Sequence, residues 1–166
     1  KHLATSMKWS PVESEDLSDA CVQAGLAPKK LTQSVAKQWN SVAKASACAL
    51  QLKKALLVLW DMPQHCARTS KLRKYKLTSA EWEILKQLRN ILKHFLSATL
   101  HISQLRVPLL HQVIPIFDIL TRKINQAITD MSLHIAVRAA TARGQVILDK
   151  YYMAMSISLV YLLNMC

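Results

Sequence analysis

Acidic residues are the first candidates for catalysis, because two carboxylates held together can act as general acid and base. Glu81 and Glu83 form the closest acid pair outside an acidic cluster near the N-terminus. Two residues apart on a helix, their side chains diverge and cannot share one substrate. They complement the positive end of a helix instead. The sequence has no phosphate loop, no dinucleotide-binding glycine motif and no serine nucleophile elbow. We therefore assign no catalytic residue and expect no enzymatic activity from this chain alone.

Histidines and cysteines are the candidates for metal binding. His94 and His101 are seven positions apart, about 10 Å along a helix, so they cannot both reach one ion at about 2.0–2.1 Å. His65 and Cys66 are adjacent in an expected loop, with no second pair to complete a site. The four cysteines lack metal-finger spacing, which favours free thiols in an intracellular protein. We predict no metal site and no cofactor in this chain.

Positive charge is the strongest functional signal. The chain has 22 Lys and Arg against 10 Asp and Glu, a formal net charge of +12, which favours contact with a polyanion. A connection at 63–77 contains cations and no acid, and residues 32–60 also contain no acid. A solvated basic loop is the alternative interpretation. The predicted contacts to a DNA backbone are Lys37, Lys44, Lys71, Arg73, Lys74 and Lys76.

Trp39 is the predicted base-stacking residue. It follows Lys37 and Gln38 in the acid-free segment, and an aromatic ring beside cations is typical of single-strand binding. Its helical spacing with the apolar residues that follow favours a core tryptophan instead. Both interpretations stay open at this point.

The elements that must position these residues are helices. The sequence is 51% hydrophobic and contains two glycines, which disfavours tight hairpins and all-β folds. Apolar residues recur at helical spacing, and Thr78 with Glu81 forms a capping box. We predict an all-α fold, an irregular bundle of five to six helices. The expected helices lie near 33–60, 79–101, 108–129, 133–153 and 155–163.

The two ends of the sequence differ from this bundle. Residues 1–31 are predicted to be a partly irregular segment, with Pro11, Gly25 and Pro28 as breakers and a short helix at 14–24. The domain proper is predicted to begin at residue 32. Its last apolar run stops at 164–166, which we interpret as a truncated end. No membrane span is predicted, since the longest uncharged tract has only 16 residues and a span needs about 20.

Several runs occur in one order that resembles a known family. They are Gln38-Trp39-Asn40-Ser41, the Trp82-to-Thr99 helix, the run from Pro108 to Pro115, Ala139 to Gly144, and Leu148 to Tyr152. Together these runs resemble the hAT family of DNA transposases, particularly the fungal hAT-like, BED-finger-associated proteins. The resemblance covers about residues 33 to 163.

The resemblance implies a part of a larger nuclear protein. Members of the family have an RNase H-like core with two aspartates and a glutamate that bind divalent metal, interrupted by a helical insertion domain. This chain resembles the insertion, so the BED finger and the region for self-association would lie outside it. The two aspartates would lie upstream of residue 1 or in the poorly matched start of the chain, and the glutamate would lie downstream of Cys166. The family has Arg-Trp at the entry to the insertion, where the tryptophan stacks on a flipped base. Here Gln38 replaces the arginine and Trp39 is kept.

These observations predict a DNA-associated helical region of a hAT-type transposase-derived protein, located in the nucleus and not catalytic alone. The expected partner is DNA, without a membrane partner. Ile135 and the run 153–158 depart from the family pattern, which is consistent with a decaying or domesticated copy. The alternatives are a helical protein-interaction module and a non-functional transposon remnant.

Overall fold

Helices make up the regular structure of the protein. The computed structural model describes residues 2–35, 39–67, 70–103 and 110–156. These contain eight α-helices and no strand: α1 (His2–Trp9), α2 (Pro11–Gln23), α3 (Trp39–Gln51), α4 (Lys53–Asp61), α5 (Pro63–Cys66), α6 (Ser79–Ser103), α7 (Leu110–Thr129) and α8 (Ile135–Ser156). The predicted all-α class is confirmed, and the described residues hold more helices than the five to six expected.

The N-terminal segment is more helical than the sequence predicts. Pro11 starts α2 rather than breaking a helix, because the first helical position does not need a donor. The Ser10 side chain caps this end by accepting a hydrogen bond from the Glu13 backbone N–H at 3.3 Å. Helix α2 then buries Leu17 and Cys21 against α4. Residues 1–31 thus supply part of a core instead of preceding it.

The predicted helix near 33–60 is two helices. Residues 31–35 are not helical, and α3 and α4 meet at Leu52, whose ψ of 8° departs from helical geometry. The Leu52 side chain is 2 % exposed, so the junction between the two helices is packed in the core. Apolar periodicity continues through this position and therefore could not mark it.

The chain divides into two compact units, Lys1–Lys86 and Gln87–Cys166. The core of the first unit combines helices α1 to α4 with Leu72 and Trp82. Of its cysteines, Cys21 and Cys48 are buried and Cys66 is exposed, and all three are free thiols. The predicted domain start at residue 32 therefore falls inside this unit.

The second unit is built on the packing of α7 against α8. Leu120 and Ile124 of α7 and Leu148 of α8 form its core, with Phe95 of α6 packed against them. Pro115 lies inside α7, which continues through it. Pro108 and the residues expected to form the last helix beyond 156 lie outside the described residues. Within the described ranges, no helix has the length and apolar character needed to cross a membrane.

Candidate nucleic-acid interface

One buried leucine anchors the basic connection to the first unit. Leu72 is 1 % exposed and belongs to the core. Its neighbours Lys71 and Arg73 are exposed, as are Lys74 and Lys76. A short 3-10 turn at Arg73–Tyr75 follows the anchor. We call the four exposed cations, Lys71, Arg73, Lys74 and Lys76, the basic loop.

The charges of the basic loop differ in how far they are neutralised. The Nζ atom of Lys76 lies 2.9 Å from Oδ1 of Asp61, in an exposed ion pair. The Arg73 guanidinium donates to the backbone carbonyl of Cys66, and Nζ of Lys74 lies 5.0 Å from the centroid of the Tyr75 ring. Neither contact cancels a positive charge. Among the described residues, Lys71, Arg73 and Lys74 form no ion pair.

Trp39 is the first residue of α3 and is 37 % exposed. The segment before it is attached to the helix, since the Val35 backbone N–H donates to Oγ of Ser41 at 2.8 Å. The hydroxyl of Ser41 in turn donates to the Val35 carbonyl at 3.1 Å. More than a third of the Trp39 surface stays exposed, so the structure leaves both the core and the stacking interpretation open.

Lys44, another predicted backbone contact, does not share a surface with Trp39. Lys44 is exposed on α3, but five positions along a helix correspond to about 140° of rotation at 3.6 residues per turn. Lys44 therefore points to a different side of α3 from Trp39. Lys37 lies outside the described residues, as does Arg68 of the basic connection at 63–77.

The end of the basic loop is fixed by the predicted capping box, which is confirmed. The Thr78 backbone N–H and hydroxyl donate to Oε2 of Glu81 at 2.7 and 2.8 Å. The Glu81 backbone N–H donates to the Thr78 hydroxyl oxygen at 3.3 Å. The hydrogen bonds from the Thr78 backbone and then from its side chain lower the pKa of Glu81. Helix α6 thus starts at a fixed point directly after the cations.

Sequence reasoning missed a contact between the side chains of Asp16 and His65. Nε2 of His65 lies 2.7 Å from Oδ2 of Asp16, and both side chains are largely buried. The Gln64 amide donates to the other Asp16 oxygen at 3.1 Å. His65 was expected in a loop but lies in the short helix α5, which this contact attaches to α2. The partners are 49 residues apart, and no local signal in the sequence relates them.

His94, considered above as a metal ligand, lies on α6. Partial burial, followed by the charges of Lys123 and Lys93, lowers its pKa. Across the described ranges, no three His, Cys, Asp or Glu side chains are grouped so as to hold a metal ion.

Comparison of the chain with family models, with curated proteins and with solved structures finds no match.

Proposed function

We propose that this chain is the DNA-associated helical region of a hAT-type transposase-derived protein. In this role it is the insertion domain of an RNase H-like enzyme and supports transposon-end DNA without catalysing a reaction itself. The observation that carries the proposal is the basic loop, in which cations surround one buried anchor. Three of them have no described acid as a partner, so their charge is available to phosphates.

Two further features support the proposal. The net charge of +12 attracts a polyanion over distances comparable to the Debye length. Trp39 at the start of α3 offers part of an indole surface on which a base can stack. We assign the backbone contacts to the basic loop first, then to Lys37 and Lys44, and we assign the nucleus as the location.

The salt dependence of DNA binding tests the role of the basic loop. Each phosphate contact contributes about −0.9 to the slope of log K against log salt, so four contacts predict a slope between about −3 and −4. A variant with K71Q, R73Q, K74Q and K76Q should lose most of the slope and the affinity. The matched control is K8Q, K30Q, K54Q and K150Q, which removes the same number of positive charges from other exposed positions. If both variants lose the same affinity, the proposed interface is wrong.

Replacement of Trp39 tests stacking separately. Base stacking contributes about 1–3 kcal/mol per base, so W39A should weaken single-stranded or hairpin DNA binding by roughly 5- to 150-fold. Binding to a blunt duplex should change little, since its bases are already stacked. Unchanged binding of W39A to hairpin DNA would contradict the role of Trp39.

A second candidate is a helical protein-interaction module, favoured by the surface of α8. Ile135 and Val146 lie on nearly the same side of α8, since eleven positions correspond to about three full turns. They are 74 % and 70 % exposed, which is unusual for large apolar side chains on one helix face. Association through this surface should be nearly independent of salt, whereas DNA binding should weaken steeply. A remnant without function should unfold without cooperativity in circular dichroism.

A further inference from the structure

Helix α5 contributes no residue to the apolar core of the first unit. It consists of Pro63–Cys66, and so short a helix is not stable by itself in water. Its buried residue is the polar His65, and none of its four described residues belongs to the core cluster. Polar contacts therefore provide much of its attachment to the rest of the unit.

Asp16 of helix α2 supplies two of these contacts. Its Oδ2 atom lies 2.7 Å from Nε2 of His65, and its Oδ1 atom accepts a hydrogen bond from the Gln64 amide at 3.1 Å. One carboxylate thus uses both of its oxygen atoms on two adjacent residues of α5. Such a two-point contact fixes the orientation of α5 as well as its distance from α2.

The last residue of α5 contacts the basic loop. The Cys66 carbonyl is at the end of a helix, where backbone carbonyls have no partner within the helix, and it accepts a hydrogen bond from the Arg73 guanidinium. The Cys66 backbone N–H donates to the Met62 carbonyl at 2.8 Å, which keeps Cys66 in the helical turn. The position of the Arg73 side chain therefore depends on the position of α5.

We propose that Asp16 is a positioning residue for the basic loop. It holds α5 through His65 and Gln64, and the Cys66 carbonyl of α5 in turn holds the guanidinium of Arg73 where a DNA phosphate can reach it. This role rests on the proposed DNA function. Asp16 acts only through other residues and needs no contact with DNA.

The sign of the effect on DNA binding separates this role from a simple effect of charge. Loss of Asp16 raises the net charge by one, which by itself should strengthen DNA binding. We expect the opposite: D16A should weaken DNA binding severalfold and reduce the magnitude of the salt slope by up to about 0.9, the share of one phosphate contact. The matched control is D19A, which removes the same charge from an exposed position on the same helix. D19A should bind DNA at least as tightly as the wild type.

Combined variants test the route through Arg73. R73Q should weaken DNA binding by a factor similar to that of D16A, and D16A should have no further effect when R73Q is already present. In a K71Q background, D16A should keep its full effect. A general loss of stability would instead weaken binding equally in both backgrounds. D16N keeps one acceptor oxygen, so it should change binding less in the same direction, and it replaces D16A if that variant does not fold.

Nuclear magnetic resonance tests the same contacts without DNA. In D16A the Cys66 amide hydrogen should exchange at least about tenfold faster and the side-chain N–H signals of Arg73 should shift, whereas D19A should leave both unchanged. Unchanged exchange and signals in D16A, or DNA binding by D16A as tight as that by D19A, would overturn the positioning role. A wild type that does not bind DNA would instead contradict the proposed function, and the exchange rates would still decide whether Asp16 holds α5 and Arg73.

Discussion

Breaking the contact between Asp16 and His65 should destabilise the first unit far more than breaking a similar contact at the surface. Their atoms lie 2.7 Å apart, with side chains 15 % and 10 % exposed. Lys76 and Asp61 lie 2.9 Å apart, with side chains 43 % and 72 % exposed. The two pairs have nearly the same separation. They differ in their access to water and in the donor, which is an imidazole in the first pair and an ammonium group in the second.

The expected magnitudes follow from that difference in burial. A hydrogen bond to a charged group contributes about 1.5–3 kcal/mol, and a buried group left without its partner costs a similar amount. We therefore expect D16A and H65A each to lower the free energy of unfolding by about 2–3 kcal/mol. An exposed ion pair contributes about 0–1 kcal/mol, so K76A and D61A should each have a small effect.

Urea unfolding followed by tryptophan fluorescence measures these changes for the first unit alone. All four tryptophans lie within that unit: Trp9, Trp39, Trp60 and Trp82. Double-mutant cycles then give the coupling energy of each pair. A coupling for Asp16 and His65 no larger than that for Asp61 and Lys76 would refute the claim that burial makes this contact strong.

Three further predictions concern single positions. Gly25 has a φ of 70°, so G25A should lower the free energy of unfolding by about 1 kcal/mol. G144A in helix α8, where an added Cβ has no neighbour within 4 Å, should raise it by about 0.5–1 kcal/mol. Urea and thermal unfolding should therefore give changes of opposite sign for the two variants. The lowered pKa of Glu81 means that its contribution to stability is present above its usual value of 4.5 and is lost as the pH falls through the lowered value. E81Q should therefore flatten the acid side of the stability profile, and the same acid dependence in E81Q as in the wild type would contradict this. L72A should cost about 2–5 kcal/mol and weaken DNA binding in a filter or fluorescence assay, because it releases the anchor of the basic loop; undiminished DNA binding would show that the anchor does not position the cations.

The sequence predicts local features of this protein well. Apolar spacing identifies α6 and α7, and the capping box fixes the start of α6, because both signals involve residues within a few turns of each other. Pro11 shows the limit of such reasoning, since proline both ends and begins helices and only the surrounding packing decides between them. The junction of α3 and α4 at Leu52 is another limit, because apolar spacing continues through it.

Some features of the candidate interface can likewise be predicted from the local sequence, whereas others are visible only in the structure. A run of cations without an acid identifies the basic loop in the sequence, whereas the burial of Leu72 becomes visible only in the structure. The contact of Asp16 with His65 joins α2 to α5 across a long stretch of chain, so no spacing rule could find it. The buried indole nitrogens of Trp60 and Trp82 have no hydrogen-bond acceptor among the described residues. This feature likewise becomes visible only when the surrounding atoms are placed.

Because two thiols of the first unit are buried, the rate at which they react with a reagent measures how often this unit opens. Cys21 and Cys48 are 0 % and 4 % exposed, whereas Cys66 is exposed. A thiol reagent reacts with an exposed thiolate at once but reaches a buried one only when the surrounding structure opens. The labelling rates of Cys21 and Cys48 therefore report how often helices α2 and α3 separate from the core of the first unit. A DNA fragment that binds this unit should slow the labelling of these two thiols, even where it leaves the spectrum of the protein unchanged.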